Sequence, residues 1–117
     1  YAYLGDRAND KLVKVNMTTM TTVTGSIDSG GSDPYEVQSR DDVVYAVNRA
    51  DYQINLLNFK GSSGTESIDE SINLPVSPRS ILFQDDEAIV SSTSDAEVML
   101  VDLTTNTLVS EHTDGAG

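Results

Sequence analysis

Arg7 and Arg49 stand at matching places in two polar segments, Asp6-Arg7-Ala8-Asn9-Asp10 and Asn48-Arg49-Ala50-Asp51-Tyr52, each lying between apolar runs. Loops of this kind commonly carry binding function, so Arg7, Arg49 and Tyr52 are candidate ligand contacts, although ordinary surface polarity would also account for them. Tyr35 and Arg79 each follow a proline, Pro34 and Pro78, that recurs in the chain, and they complete the candidate set. Two acidic pairs, Asp41-Asp42 and Asp85-Asp86, could supply carboxylates to Ca²⁺, a hard ion that takes about six to eight oxygens. Short carboxylates also bond the backbone of tight turns, which is the simpler account of both pairs. The segment Asp28-Ser29-Gly30-Gly31-Ser32-Asp33 is the next calcium candidate, although it lacks EF-hand spacing and its glycines also suit turns. Neither Gly30-Gly31 nor Gly61-Ser62-Ser63-Gly64 is followed by a Lys or an amphipathic helix that would aim at a phosphate, so both read as loops. His112 is the single histidine and has no Ser or Cys motif beside it; it reads as an exposed strand residue. No catalytic residue is assigned.

A repeat positions these residues. At an offset of 44, Pro34 falls on Pro78, Asp41-Asp42 on Asp85-Asp86, Asp51 on Asp95 and Leu56 on Leu100, while Val37/Ile81, Tyr45/Ile89, Ile54/Val98 and Leu57/Val101 exchange one apolar residue for another. At an offset of 42, Tyr3 falls on Tyr45, Arg7-Ala8 on Arg49-Ala50, Leu12 on Ile54 and Asn16 on Asn58. Each copy divides into short extended runs. Strand A, over 35–38 and 80–83, follows a proline, which suits the first residue of a strand because it has no N–H to donate. Strand B covers 2–4, 43–47 and 88–90; strand C covers 11–15, 54–57 and 98–101; strand D, the most polar, covers 21–27, 66–72 and 107–112. Strands B and C are almost continuously apolar in the second and third copies, which predicts burial on both faces. Val37, Tyr45, Val47, Ile54, Leu56, Ile81, Ile89, Val98 and Leu100 are therefore the expected core between sheets.

Self-similarity at this period, with β-branched and aromatic runs cut by Gly, Ser, Asp and Asn, predicts an all-β fold of β-propeller blades, each a four-stranded antiparallel sheet. Residues 1–42 form a blade lacking its inner strand A. Residues 43–86 hold strands B to D of the second blade, which spans about 34–74, with the inner strand of the third; residues 87–117 are the remainder of the third. Propellers close with about four to eight blades. About three blades make an incomplete propeller, and the expected partners are further blades of the same longer chain or of other subunits.

Composition narrows the function. Against 19 Asp and Glu stand 7 Lys and Arg, a formal net charge of −12, which argues against nucleic acid or an anionic membrane as partner. The 38% apolar content supports a modest core, and the absence of cysteine excludes disulfides, thiolate metal sites and cysteine nucleophiles. Sparse Lys with abundant Ser, Thr, Asp and Gly leans towards an extracellular, cell-surface or periplasmic setting.

The order Pro-x-x-Val/Ile, an Asp turn, then Val-x-Tyr-x-Val-Asn and an apolar strand ending in Asn or Asp resembles the YVTN family of β-propeller repeats, with NHL-like repeats near alternatives. The segments that carry it are Tyr45-Ala46-Val47-Asn48 with Leu57-Asn58, Tyr3-Leu4-Gly5-Asp6 with Val15-Asn16, and Val101-Asp102-Leu103 with Thr104-Thr105-Asn106. The family's usual Gly after the paired turn residues is missing, and the second copy carries the extra Gly61-Ser62-Ser63-Gly64. The resemblance implies a secreted or surface scaffold that binds or assembles, with a protein or glycan ligand, no cofactor beyond the calcium considered above, and no catalysis of its own. It leaves open a portion of a propeller enzyme, lactonase-like or a periplasmic oxidoreductase subunit, whose catalytic residues lie in other blades.

Overall fold

The computed structural model describes residues 1–41, 43–58, 67–92 and 97–113. Among these every regular element is a strand, apart from one turn of 3-10 helix at Arg49–Asp51. The strands are β1 (Ala2–Asp6), β2 (Lys11–Asn16), β3 (Thr21–Asp28), β4 (Pro34–Arg40), β5 (Val43–Asn48), β6 (Gln53–Asn58), β7 (Ser67–Asn73), β8 (Ser80–Gln84), β9 (Glu87–Ser92), β10 (Glu97–Asp102) and β11 (Thr107–Thr113). They make three antiparallel meanders: a first sheet β1-β2-β3, a second β4-β5-β6-β7 and a third β8-β9-β10-β11. The all-β, blade-like architecture expected from the repeat is what the chain adopts.

The repeat extends to turns and irregularities. Asp41 and Asp85 open the β4–β5 and β8–β9 hairpin turns with positive φ, 50° and 52°, a conformation that Asp tolerates through its short polar side chain. Asp10 and Tyr52 hold φ of 57° and 56° at matching places before β2 and β6, as do Met20 and Asn106 before β3 and β11. Asn16 Oδ1 accepts the Thr18 and Thr19 amides at 2.9 and 3.2 Å, and Asp102 Oδ1 accepts those of Thr104 and Thr105 at 2.8 and 3.4 Å. The ladder register shifts at equivalent steps, Lys14/Val15, Leu56/Leu57 and Leu100/Val101, and a bulge there raises the local twist of each sheet alike.

Two apolar layers hold the sheets together. Tyr3, Leu12 and Ile27 of the first sheet meet Val44, Ala46 and Leu57 of the second. The opposite face of the second sheet, with Tyr45, Val47, Ile54, Leu56 and Ile72, meets Ile81, Ala88, Val90, Met99 and Val101 of the third. Tyr45 and Phe83 pack with ring centroids 4.8 Å apart, and burial pushes the Tyr45 phenol pKa up. In β5 five consecutive residues, Val44 to Asn48, are buried, because a sheet lies on each side. β9 alternates instead: Ala88, Val90 and Ser92 are buried while Ile89 is 39% exposed.

That alternation corrects part of the expected core. Ile89 and Val98 are exposed, at 39% and 46%, and Leu100 is half-buried; their side chains occupy the face of the third sheet turned away from the second. Val37 is half-buried against the first layer. The remaining five expected core residues, Tyr45, Val47, Ile54, Leu56 and Ile81, are buried. Proline opens β4 as its chemistry suggests, whereas β8 starts two residues beyond Pro78, after the Arg79 amide has bonded Ser91 O at 2.7 Å.

The inner strands meet through polar groups. Glu36 on β4 accepts the Ile81 amide at 2.9 Å and the Gln38 side-chain amide at 2.7 Å, which caps the facing edge of β8. Gly5 on β1 abuts the Pro34 carbonyl so closely that a Cβ would collide with it. Glycine at this place lets β1 and β4 approach.

Candidate functional site

Tyr35, the second residue of β4, gathers three guanidinium groups, one from each sheet or its approach. Arg7 from the β1–β2 loop lies 4.5 Å from the ring centroid, Arg49 from the 3-10 turn between β5 and β6 lies 5.2 Å away, and Arg79 from the segment entering β8 lies 5.2 Å away. Four of the five expected contacts thus come together. Tyr52 ends the Arg49 loop in the left-handed conformation with its side chain outward, 49% exposed, while its carbonyl accepts the Leu74 amide at 2.9 Å.

Backbone and carboxylate bonds fix the three loops. Asp6 holds the first by accepting the Asn9 side-chain amide at 2.8 Å. The second is tied to the segment before β4, where Arg49 N and Ala50 N donate to Asp33 O and Ser32 O at 3.0 and 3.3 Å and Asp51 accepts the Ser32 amide. Ser77 Oγ donates to Arg49 O at 2.8 Å and so joins the third approach to the second loop. Asp10 Oδ1 accepts the Asp33 amide at 2.8 Å, and Asp33 itself has φ of 57°. Its carboxylate takes Arg7 in a two-pronged pair, Nε to Oδ1 at 2.5 Å and Nη2 to Oδ2 at 3.3 Å. The Arg7 bond, with the Arg49 charge behind it, holds the Asp33 carboxyl below its ordinary pKa, and the same bond raises that of Arg7.

Cations over an aromatic face are attracted by the negative face of the ring, and here one ring serves three. Planar guanidinium forks also match oxyanions in two-pronged fashion. The arrangement is therefore a local concentration of positive charge, reachable from solvent through the exposed Arg7 and Arg79, on a chain of net charge −12.

The other candidates serve turns or lie elsewhere. Asp41 and Asp85 occupy hairpin turns of different sheets, and Arg40 links the two by pairing with Asp41 Oδ2 at 3.5 Å and donating to the Asp85 carbonyl. Asp86 O accepts the Leu103 amide at 2.8 Å; Asp42 and the segment 61–64 lie outside the described residues. Among the described residues no three His, Cys, Asp or Glu side chains converge as metal ligands would. Asp28 accepts the Gly30 amide at 2.9 Å as a turn residue does, and His112 is exposed on β11.

Two buried polar features escaped the sequence reading. Lys14 is 1% exposed, with its ammonium 4.4 Å from the Tyr1 ring centroid and 5.7 Å from that of Tyr3. Its place in the repeat is that of Leu56 and Leu100, the signal that would have marked it as a core position. Asn48 and Asn55 both donate to Ser29 O, at 2.8 and 3.1 Å, and so pin the loop after β3 to the second sheet.

The chain is similar in structure to hydrazine synthase of Kuenenia stuttgartiensis, with a TM-score of 0.75 at 12% identity. Its sheets are β-propeller blades. The likeness covers 93% of this chain and 31% of that one, so the chain spans about a third of the length of its structural neighbour. At this identity the likeness shows the fold alone. No protein-family model matches the sequence, and no curated protein matches it.

Proposed function

We propose that the chain is a segment of an extracellular or cell-surface β-propeller of the YVTN type, a non-catalytic scaffold for binding and assembly. The observation that supports this most is the third sheet's outward face, where Leu82, Ile89 and Val98 are 68%, 39% and 46% exposed. Ile89 and Val98 stand 44 residues beyond Tyr45 and Ile54, which the third sheet itself covers. The first sheet matches this on its far side, with Leu4 at 56% exposure; Leu4 stands 42 residues before the buried Ala46. Each outer sheet thus presents the face that its counterpart buries within the stack. Further sheets of the same longer chain, or of other subunits, cover these faces, since contiguous apolar patches on soluble proteins mark interaction surfaces. The acidic, Lys-poor composition suits a soluble surface protein. The alternative, a portion of a propeller enzyme, draws only on the name of the structural neighbour, which at 12% identity carries no chemistry across.

Intact mass of the native protein, combined with protease treatment of whole cells, tests the reading. The expected result is a surface-accessible polypeptide or stoichiometric complex well above 12.6 kDa. A 12.6 kDa monomer protected inside the cell contradicts it.

A further inference from the structure

We propose that Asn16 is the acceptor of an N-linked saccharide, an inference that rests on the extracellular reading of the chain and adds a covalent modification to it. Asn16-Met17-Thr18 has the Asn-x-Thr pattern that marks such acceptors. The chain holds seven asparagines, and only this one has Ser or Thr two residues on.

The fold puts the pattern within reach. Asn16 ends β2, and residues 17–23, through the turn and into β3, are all exposed. Thr18 and Thr19 donate their backbone amides to Asn16 Oδ1 at 2.9 and 3.2 Å. An N–H needs an acceptor, so these two bonds settle which end of the carboxamide is the oxygen and turn Nδ2 the other way. Nδ2 has no hydrogen-bond partner among the described residues, and it is not buried. The Thr18 hydroxyl is likewise unpartnered among them, whereas that of Thr19 meets Thr21 Oγ1 at 2.7 Å. Capping the turn does not by itself call for an amide. Asp102 holds the same place in the third copy and caps through Oδ1, accepting the Thr104 and Thr105 amides at 2.8 and 3.4 Å. Asn58, its counterpart in the second copy, is followed by Phe59-Lys60 and lacks the pattern. What separates Asn16 from Asp102 is the nitrogen. Because the cap uses only Oδ1, a substituent on Nδ2 leaves both turn bonds in place.

The step joins Asn16 Nδ2 to the anomeric carbon of a saccharide carried on a polyprenyl phosphate or diphosphate. The bond from Nδ2 to that carbon forms as the carbon's bond to the phosphate oxygen breaks; the phosphate leaves with the bonding pair, and Nδ2 gives up one proton to a base of the transferase. The saccharide adds a bulky, solubilising group to a hairpin whose Met17, Met20 and Val23 are 56%, 71% and 51% exposed.

The test is mass spectrometry of the native protein, with the tryptic peptide 15–40 fragmented by electron transfer so that the link to the saccharide survives. The expected result is the mass of at least one sugar residue added at Asn16. In the native host Asn16→Asp, which keeps the cap as Asp102 does, and Thr18→Val, which keeps the asparagine, should each lose that mass completely, whereas Thr18→Ser should retain it. A bare Asn16 in the native protein, a saccharide on one of the threonines instead, or retention of the mass in Asn16→Asp or Thr18→Val overturns the proposal. Protease treatment of whole cells reads location separately. A surface protein with a bare Asn16 overturns the glycosylation alone, and a protein confined inside the cell overturns the scaffold reading.

Discussion

Asp33 holds Arg7 with both carboxylate oxygens while carrying a positive φ, and Asn tolerates that conformation equally well, so Asp33→Asn removes the charge with little change of backbone. The folded-state pKa of Asp33 lies below its ordinary 3.8. Its contribution to stability is therefore complete above that value and is lost as the pH falls through the lowered one, because the unfolded chain takes up its proton first. The wild type should melt above Asp33→Asn at pH 6, with the gap closing below about pH 4; thermal melts across that range check it. Gly5→Ala forces a methyl group against the Pro34 carbonyl and should cost about 1–3 kcal/mol in denaturant titrations. The sequence singled out Arg7, Arg49 and Tyr52 as loop residues, and Tyr35 and Arg79 by the recurring prolines before them. The meeting of the three arginines on the Tyr35 ring depends on how three sheets splay, which residue spacing does not encode.

Turns, bulges and strand order recur because the copies share local instructions: an Asp turn in the second and third, an Asn or Asp that caps a Thr-rich turn in the first and third, and a register shift at the same step of all three. The Asp turns and the strand order were legible in the sequence, because such signals act within a few residues, whereas the register shifts were not. Burial was legible on the faces that a neighbouring described sheet covers. Ile54 and Val98 are equivalent in the repeat, yet Ile54 is fully buried and Val98 is 46% exposed, because the third sheet covers one while the other lies on the face of the third sheet turned away from the second. Truncation should separate them: Ile54→Ala is expected to cost about 2–4 kcal/mol, and Val98→Ala less than about 1 kcal/mol. Equilibrium unfolding of both variants measures the difference, and equal losses would mean that both sites lie in one core.

At the scale of the whole molecule, three stacked sheets bury two apolar layers and leave the same kind of surface on the outside of the first and third. An internal contact pairs the type of face that the third sheet leaves open with the type that the first leaves open. The two outer faces are thus complementary in kind, and a contact of that sort joins sheets head to tail. Sedimentation velocity of residues 1–117 at micromolar concentration, beside the double variant Ile89→Asp and Val98→Asp, tests directly whether these faces are assembly surfaces. The account predicts concentration-dependent association of the wild type that the double variant abolishes while keeping its β-sheet circular dichroism. A wild type that sediments as a stable, cooperatively folded monomer at every concentration would contradict it.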